Sequence, residues 1–309
     1  MSSRFGERFL GSADLFPARL AGEAWGRNAV AVDFGGGPYV FAGLSAEQEA
    51  AARERFAGFC RQGALPREGV ECRVLRVSPE EFRSFDLRGF ELTLDLDAQA
   101  DAVRVAGLGL MARLEWRPSL AAALWTASSG DDAFPGVLEN VLRVLAAYRV
   151  AECGGALLHS AGIVDGGAAW LFVGRSGAGK STLSRLSLGE GRAVLSDDLN
   201  AVSWGAEGCW VSAVPFAGDY HGAASAILPL GALCQVRQGQ EHHVEPLSRA
   251  EGLAALLAAA PYVNQDPHRL DRLLSNLEAV LDRAPLHRVT FSLEGGVWNA
   301  LLAAHEVRV

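Results

Sequence analysis

The 309-residue chain is almost without lysine: of its 28 basic residues Lys180 alone is not an arginine. Long apolar runs are missing too. The longest, such as Leu253 to Ala260, are far too short to cross a bilayer, so no membrane partner is expected. No apolar core of a signal peptide follows Met1 to Arg8, and a cytoplasmic location is the expectation. Cysteine is sparse. Cys60, Cys72, Cys153, Cys209 and Cys234 are odd in number and contain no C-x-x-C pair, which reads as reduced, buried thiols rather than a disulfide framework or a zinc site. Basic excess is absent as well. A net charge of −8, with no arginine stripe interleaved with aromatics, argues against a nucleic-acid surface. What remains is a globular composition, 50% hydrophobic and 21% charged, on a chain long enough for two domains.

Against that background one stretch stands out. Gly174-Arg175-Ser176-Gly177-Ala178-Gly179-Lys180-Ser181 has the spacing G-x-x-x-x-G-K-[ST] of a phosphate-binding loop. The apolar run Ala168 to Val173 before it reads as a buried strand, and Lys180 to Leu186 after it reads as the first turns of a helix. Gly177 and Gly179 let the backbone curl so that successive N–H groups converge, with the positive end of the helix dipole beneath them. A triphosphate fits such a cradle, held by Gly174, Ser176, Gly177, Ala178, Gly179 and Thr182. Lys180 reaches the outer phosphates as a compact charge, and the Ser181 hydroxyl is placed to ligate Mg²⁺. A chain that uses arginine everywhere else keeps an ammonium where a planar guanidinium does not fit.

The rest of the chain divides around this loop. Residues 1–134 read as a smaller, β-rich α+β domain. Its expected strands are Phe90 to Leu96, Val74 to Val77, Val103 to Val105, Leu110 to Trp116 and Leu120 to Trp125, arranged as an antiparallel meander. One helix interrupts them, with a capping box at Ser45 and Phe56, Phe59 and Cys60 on one face. No catalytic constellation is found here, Asp131-Asp132 being read as a solvated turn; substrate capture and homo-oligomerisation are the candidate roles. Residues 135–309 form the second domain, opening on a helix at Pro135. Leu157 to Val164, the turn Asp165-Gly166-Gly167 and the loop strand predict an antiparallel hairpin. Leu199 to Trp204 and Cys209 to Phe216 predict another. A late strand at Leu286 to Leu293 and helices after Ser248, over Pro267 to Arg283 and over Val297 to Ala304 complete the expectation. His242 and His243 lack a third ligand at metal-binding spacing and read as a solvated strand end.

Asp197 and Asp198 follow Lys180 by seventeen and eighteen residues, room for one helix and one returning strand. On an extended backbone their carboxylates point to opposite sides, so one can serve Mg²⁺ while the other takes a proton from an acceptor hydroxyl. His159, on the strand beside the loop strand, reads either as a neighbour that tunes the base or as a core histidine. Leu158-His159-Ser160-Ala161-Gly162, the loop Gly174 to Thr182 and Leu195-Ser196-Asp197-Asp198, in this order, resemble the catalytic domain of HPr kinase/phosphorylase over roughly residues 150 to 300. The resemblance implies an α/β fold with a mixed sheet, related to phosphoenolpyruvate carboxykinase, and Mg-ATP at the loop. It implies Asp197 as base with His159 close by, and Asp198 and Ser181 on the metal side. Arg175 and Thr182 stand where that family usually carries acidic residues, and its downstream arginine loop has no match, so the expected activity is forward transfer to a hydroxyl of a protein, a peptide or a small metabolite. Two other classes share the loop: a small-molecule kinase with an all-parallel sheet, and an ATPase or scaffold that hydrolyses ATP to change shape. The hairpin speaks against the first, and the lack of an apolar run ending in Asp-Glu against the second.

Overall fold

Alternating apolar residues at Asn28–Val32 (β1) and Tyr39–Leu44 (β2) form an antiparallel pair that buries Val30, Val32, Tyr39 and Phe41, with Val32 opposite Tyr39. They belong to the computed structural model of the chain, which describes residues 22–66, 68–77, 94–107, 109–116, 119–130, 132–216, 218–220 and 225–306. The described residues fall into two compact units, one running to Asp33 and over Gly37–Arg149, the other comprising Phe34–Gly36 and everything from Val150 onward.

In the first unit the helix Ala46–Arg55 (α1) starts at the predicted capping box: the Gln48 N–H donates to Ser45 Oγ at 3.2 Å and the Ser45 N–H to Gln48 Oε1 at 3.0 Å. The helix stops at Arg55, so Phe56 and Phe59, expected on its face, are buried in the turn that follows it. Then come Val70–Arg76 (β3), Asp95–Ala98 (β4), Ala102–Gly107 (β5), Leu110–Trp116 (β6) and Leu120–Thr126 (β7). The expected strand Phe90 to Leu96 lies outside the described residues up to Thr93. Strands β4 to β7 form the antiparallel meander, but the whole is a seven-stranded mixed sheet in the order β1-β2-β3-β7-β6-β5-β4, with β3 parallel to both neighbours. The physical reason is connection length. The helix between β2 and β3 supplies the crossover that parallel pairing needs, and the meander supplies another between β3 and β7. Helix Phe134–Glu152 (α2) carries Pro135 in its first turn and buries Val137, Leu138, Val141, Leu142, Leu145 and Tyr148; its last residues, from Val150, belong to the second unit.

The second unit is built on the predicted hairpin. Gly155–Asp165 (β8) and Ala168–Val173 (β9) pair antiparallel around Gly166 and Gly167, whose φ values of 57° and 82° are those a two-residue hairpin turn requires. There follow Lys180–Gly189 (α3), Ala193–Ser196 (β10), Leu199–Gly205 (β11), Gly208–Ser212 (β12), Ile227–Gln238 (β13), His243–Pro246 (β14), Arg249–Ala259 (α4), Leu270–Leu281 (α5), Leu286–Phe291 (β15) and Val297–Glu306 (α6). The result is a mixed eight-stranded sheet in which two long strands each serve two sets of neighbours. Residues 155–159 of β8 pair with β11, and residues 160–165 pair with β9. Likewise the start of β13 pairs antiparallel with β12, while its remainder runs parallel to β9 and β15.

This topology brings the candidate residues together. Strand β8 lies between β9 and β10 and is antiparallel to both, with Val173 opposite Ser160 and Ser196 opposite Gly162. Strands β9 and β10 therefore end at the same edge, within two residues of each other along β8. The loop after Val173 and the acids after Ser196 must emerge side by side. Beneath them, Trp170 and Phe172 of β9 meet Trp298 of α6 edge-on at 5.5 and 5.8 Å, and the Trp298 indole N–H donates to Ser187 Oγ of α3 at 2.7 Å. Each such fully buried ring contributes about 1.5–3 kcal/mol by leaving water, and together they fix the loop strand against the loop helix.

Candidate active site

The loop leaves β9 at Gly174 and turns into α3 at Gly179, where φ reaches 100°. A Cβ there would stand 2.7 Å from the Phe291 ring and 2.9 Å from Gln238 Nε2, so the position admits glycine alone. Gly177 also has positive φ, 77°, but faces open space. No side chain caps the start of α3. Its first N–H groups are thus without a side-chain acceptor, as an anion-binding helix start requires, while within the loop the Ala178 N–H donates to Arg175 O at 3.0 Å.

Lys180 begins the helix and is only 7% exposed. Its ammonium donates to the carbonyl oxygens of Gly174 at 3.0 Å and Arg175 at 3.4 Å, which folds it back over the loop. Burial pushes this lysine below its ordinary range, while Asp198 and then Asp197 pull it back up. The lone lysine of the chain is therefore the cation that two acids address.

Those acids owe their placement to a serine and an asparagine. At the end of β10, Ser196 Oγ accepts from the N–H groups of Asp198 at 3.2 Å and Leu199 at 3.3 Å, bending the chain. Buried Asn200 then donates to Ser160 O at 2.8 Å, Ser160 Oγ at 3.1 Å and Ser196 O at 3.3 Å, which ties the bend to β8. The extended backbone expected at the acids is thus replaced by a bend, and both carboxylates reach one cleft in different surroundings. Asp197 is 4% exposed, and its Oδ1 accepts from the Tyr220 N–H at 3.1 Å. Its own N–H donates to Tyr220 O at 3.2 Å, and Gly218 lies so close that any side chain would collide with the carboxylate. Asp198 is more open, with Oδ1 3.6 Å from Nε2 of His159, whose ring is half-exposed. The contact seen for His159 is thus to the second aspartate of the pair.

The cleft holds about 570 Å³ and is lined by His159, Asp197 and Asp198 on one side and by Ser176, Gly177, Gly179, Lys180, Ser181 and Thr182 on the other. Gly174 and Ala178 belong to the neighbouring wall of the loop. Asp219 and Gln238 join the lining although the sequence reading did not select them. Asn200 was also missed, and a signal for it existed: an amide inside the apolar run Leu199 to Val202 is buried at a cost unless it clamps something. Gly218 and Tyr220 act through backbone position, which leaves no residue-type signature.

Among the described residues no three His, Cys, Asp or Glu side chains gather as a metal site. His242 Nε2 donates to Gly295 O, 3.1 Å away, and exposed His243 opens β14, as a strand end would. Of the pair Asp131-Asp132 only Asp132 is described, and it is exposed. No described helix is long and apolar enough to cross a membrane. Comparison with known protein families finds no match, and no curated protein matches the sequence.

Proposed function

We propose that the chain is an ATP-dependent kinase of the HPr kinase/phosphorylase catalytic type, transferring a γ-phosphoryl group to a hydroxyl of a protein, a peptide or a small metabolite. The observation that carries this reading is the convergence of an uncapped glycine-rich helix start, one buried ammonium and two unlike carboxylates on a single cleft. A triphosphate fits the cradle because Gly177 leaves its place open and no side chain caps the start of α3. Mg²⁺ fits the same place. Ser181 and Asp198 would hold it, and since no three His, Cys, Asp or Glu side chains gather as a metal site among the described residues, phosphate oxygens would fill its remaining positions, as this cation prefers. When bound it neutralises charge on the phosphates.

The protein's own groups supply the rest. Lys180 offers a charge already desolvated, hence strong at short range. Asp197, pinned by the Tyr220 N–H, is positioned to accept the proton of the attacking hydroxyl. His159 acts through Asp198 by holding its carboxylate in place. The antiparallel β8–β9 hairpin favours this reading over a small-molecule kinase, whose loop strand sits among parallel neighbours. Lys180→Ala provides the test, in an assay with labelled ATP and cell extract. Transfer is expected to vanish while the melting transition stays in place; undiminished labelling by that variant would refute the reading.

A further inference from the structure

One neutral side chain reaches the acidic cleft from a strand that carries neither the loop nor the acids. Strand β13 runs parallel to the loop strand, with Gln235 opposite Val173, the last residue of β9. It continues beyond that point along β15, and Gln238, its final residue, pairs with Phe291. The Gly239 N–H donates to Phe291 O at 2.8 Å, so the backbone is held on both sides of the pair. The Gln238 side chain lies directly over the glycine where the loop becomes α3. A Cβ on Gly179 would stand 2.9 Å from its Nε2 and 3.1 Å from its Cγ. The three residues before it behave differently. Gln235, Val236 and Arg237 line a second space against the loop, of about 630 Å³, that includes neither acid, whereas Gln238 lines the cleft of Lys180, Asp197 and Asp198. Its amide makes no side-chain hydrogen bond among the described residues.

We infer that Gln238 is a further catalytic residue, whose side-chain NH₂ donates to an oxygen of the transferable phosphoryl group. The inference rests on the proposed phosphotransferase reading, which requires that group to face Asp197 and Asp198. An amide hydrogen placed in the same cleft, against the start of α3, is then within reach of it. The residue type suits the position. A carboxamide offers two N–H donors and no charge, so it can meet a phosphate oxygen without forming an ion pair with either aspartate. A lysine or arginine there would be drawn to Asp197 or Asp198 and would lower the basicity of the carboxylate that has to take a proton. An acid there would repel the phosphates. The arginine one residue earlier is held elsewhere, its Nε donating to Thr290 Oγ1 at 2.8 Å.

Titration calorimetry with Mg²⁺, comparing ATP with ADP, tests the assignment, because only ATP carries the group that Gln238 is assigned to touch. Gln238→Ala, at an exposed strand end, should weaken ATP by about tenfold or more, the usual worth of a hydrogen bond to a charged group, and leave ADP within about twofold of the parent chain. Gln238→Glu separates donation from mere packing over Gly179. It keeps the shape of the side chain but replaces the donor by a negative charge, so it should weaken ATP more than alanine does. Melting temperatures of both variants should match the parent. Equal losses for ATP and ADP, ATP binding unchanged in Gln238→Ala, or a glutamate variant that binds ATP better than the alanine variant would each overturn the role of Gln238 while leaving the loop reading intact. Failure of the parent chain to bind either nucleotide would instead defeat the phosphotransferase reading, and this inference with it.

Discussion

Each unit buries acidic side chains, and their partners differ. In the first, Glu139 of α2 sits between two guanidinium groups, Arg55 and Arg143, the latter donating to Oε1 at 2.8 Å; in the second, Asp197 receives a backbone N–H from Tyr220, and its nearby cation Lys180 is engaged with carbonyl oxygens. A carboxylate saturated by arginines is spent on holding elements together. One fixed by backbone keeps charge in reserve for something that arrives from outside. The same contrast separates Gln48, whose amide bonds are consumed by the α1 cap and Ser128 O, from Ser181 and Asp198 at the cleft wall.

Substitutions can sharpen that contrast. The largest effect is expected from Asp197→Asn, which should retain nucleotide binding and lose about 10²–10⁴ in transfer rate, the usual worth of a positioned base. Single-turnover kinetics alongside calorimetry would check it; an equal loss of nucleotide affinity would move Asp197 to the metal side. Next is Asn200→Ala. It leaves Ser160 O and Ser196 O without their clamp, and it should cost about 1–3 kcal/mol in denaturant unfolding and lower transfer by releasing the acid-bearing bend. Glu139→Ala should cost a comparable or smaller amount, about 1–2 kcal/mol given the partial exposure of its arginines, and leave nucleotide affinity unchanged. A loss of nucleotide affinity in Glu139→Ala would break the comparison between the two units.

The smallest effect concerns Glu251, whose carboxyl is held at about 2, below its ordinary 4.5, by Ser248 and then by Arg288. A depressed carboxylate stabilises the fold above the unfolded value and loses that contribution as pH falls from about 4.5 toward 2. Glu251→Gln keeps a hydrogen-bonding group at the third position of the α4 capping box but no charge. Its thermal stability should therefore fall less steeply than the parent's across that acid window.

How much of this was legible beforehand depended on the range of the interaction. Ser45 and Ser248 announce their helices because a capping box is decided within four residues, and both caps form. The β8–β9 hairpin was readable from a two-glycine turn between apolar runs. Strands β1 and β2 went unread, and the parallel pairing of β3 could not be read at all, because pairing partners are chosen across dozens of residues by crossover length and burial.

The sequence by itself determined the loop, its lone lysine, the paired acids and the hairpin, since each is a local pattern of residue type and spacing. Only the tertiary structure decided that Asp198 is the acid that meets His159, that Asp197 is closed off by the Tyr220 backbone, and that Arg175 and Gln235 border a second space beyond the loop. Those outcomes follow from where β8 and β13 switch neighbours and how side chains distant in sequence fill the edge they share, which no window of residues contains.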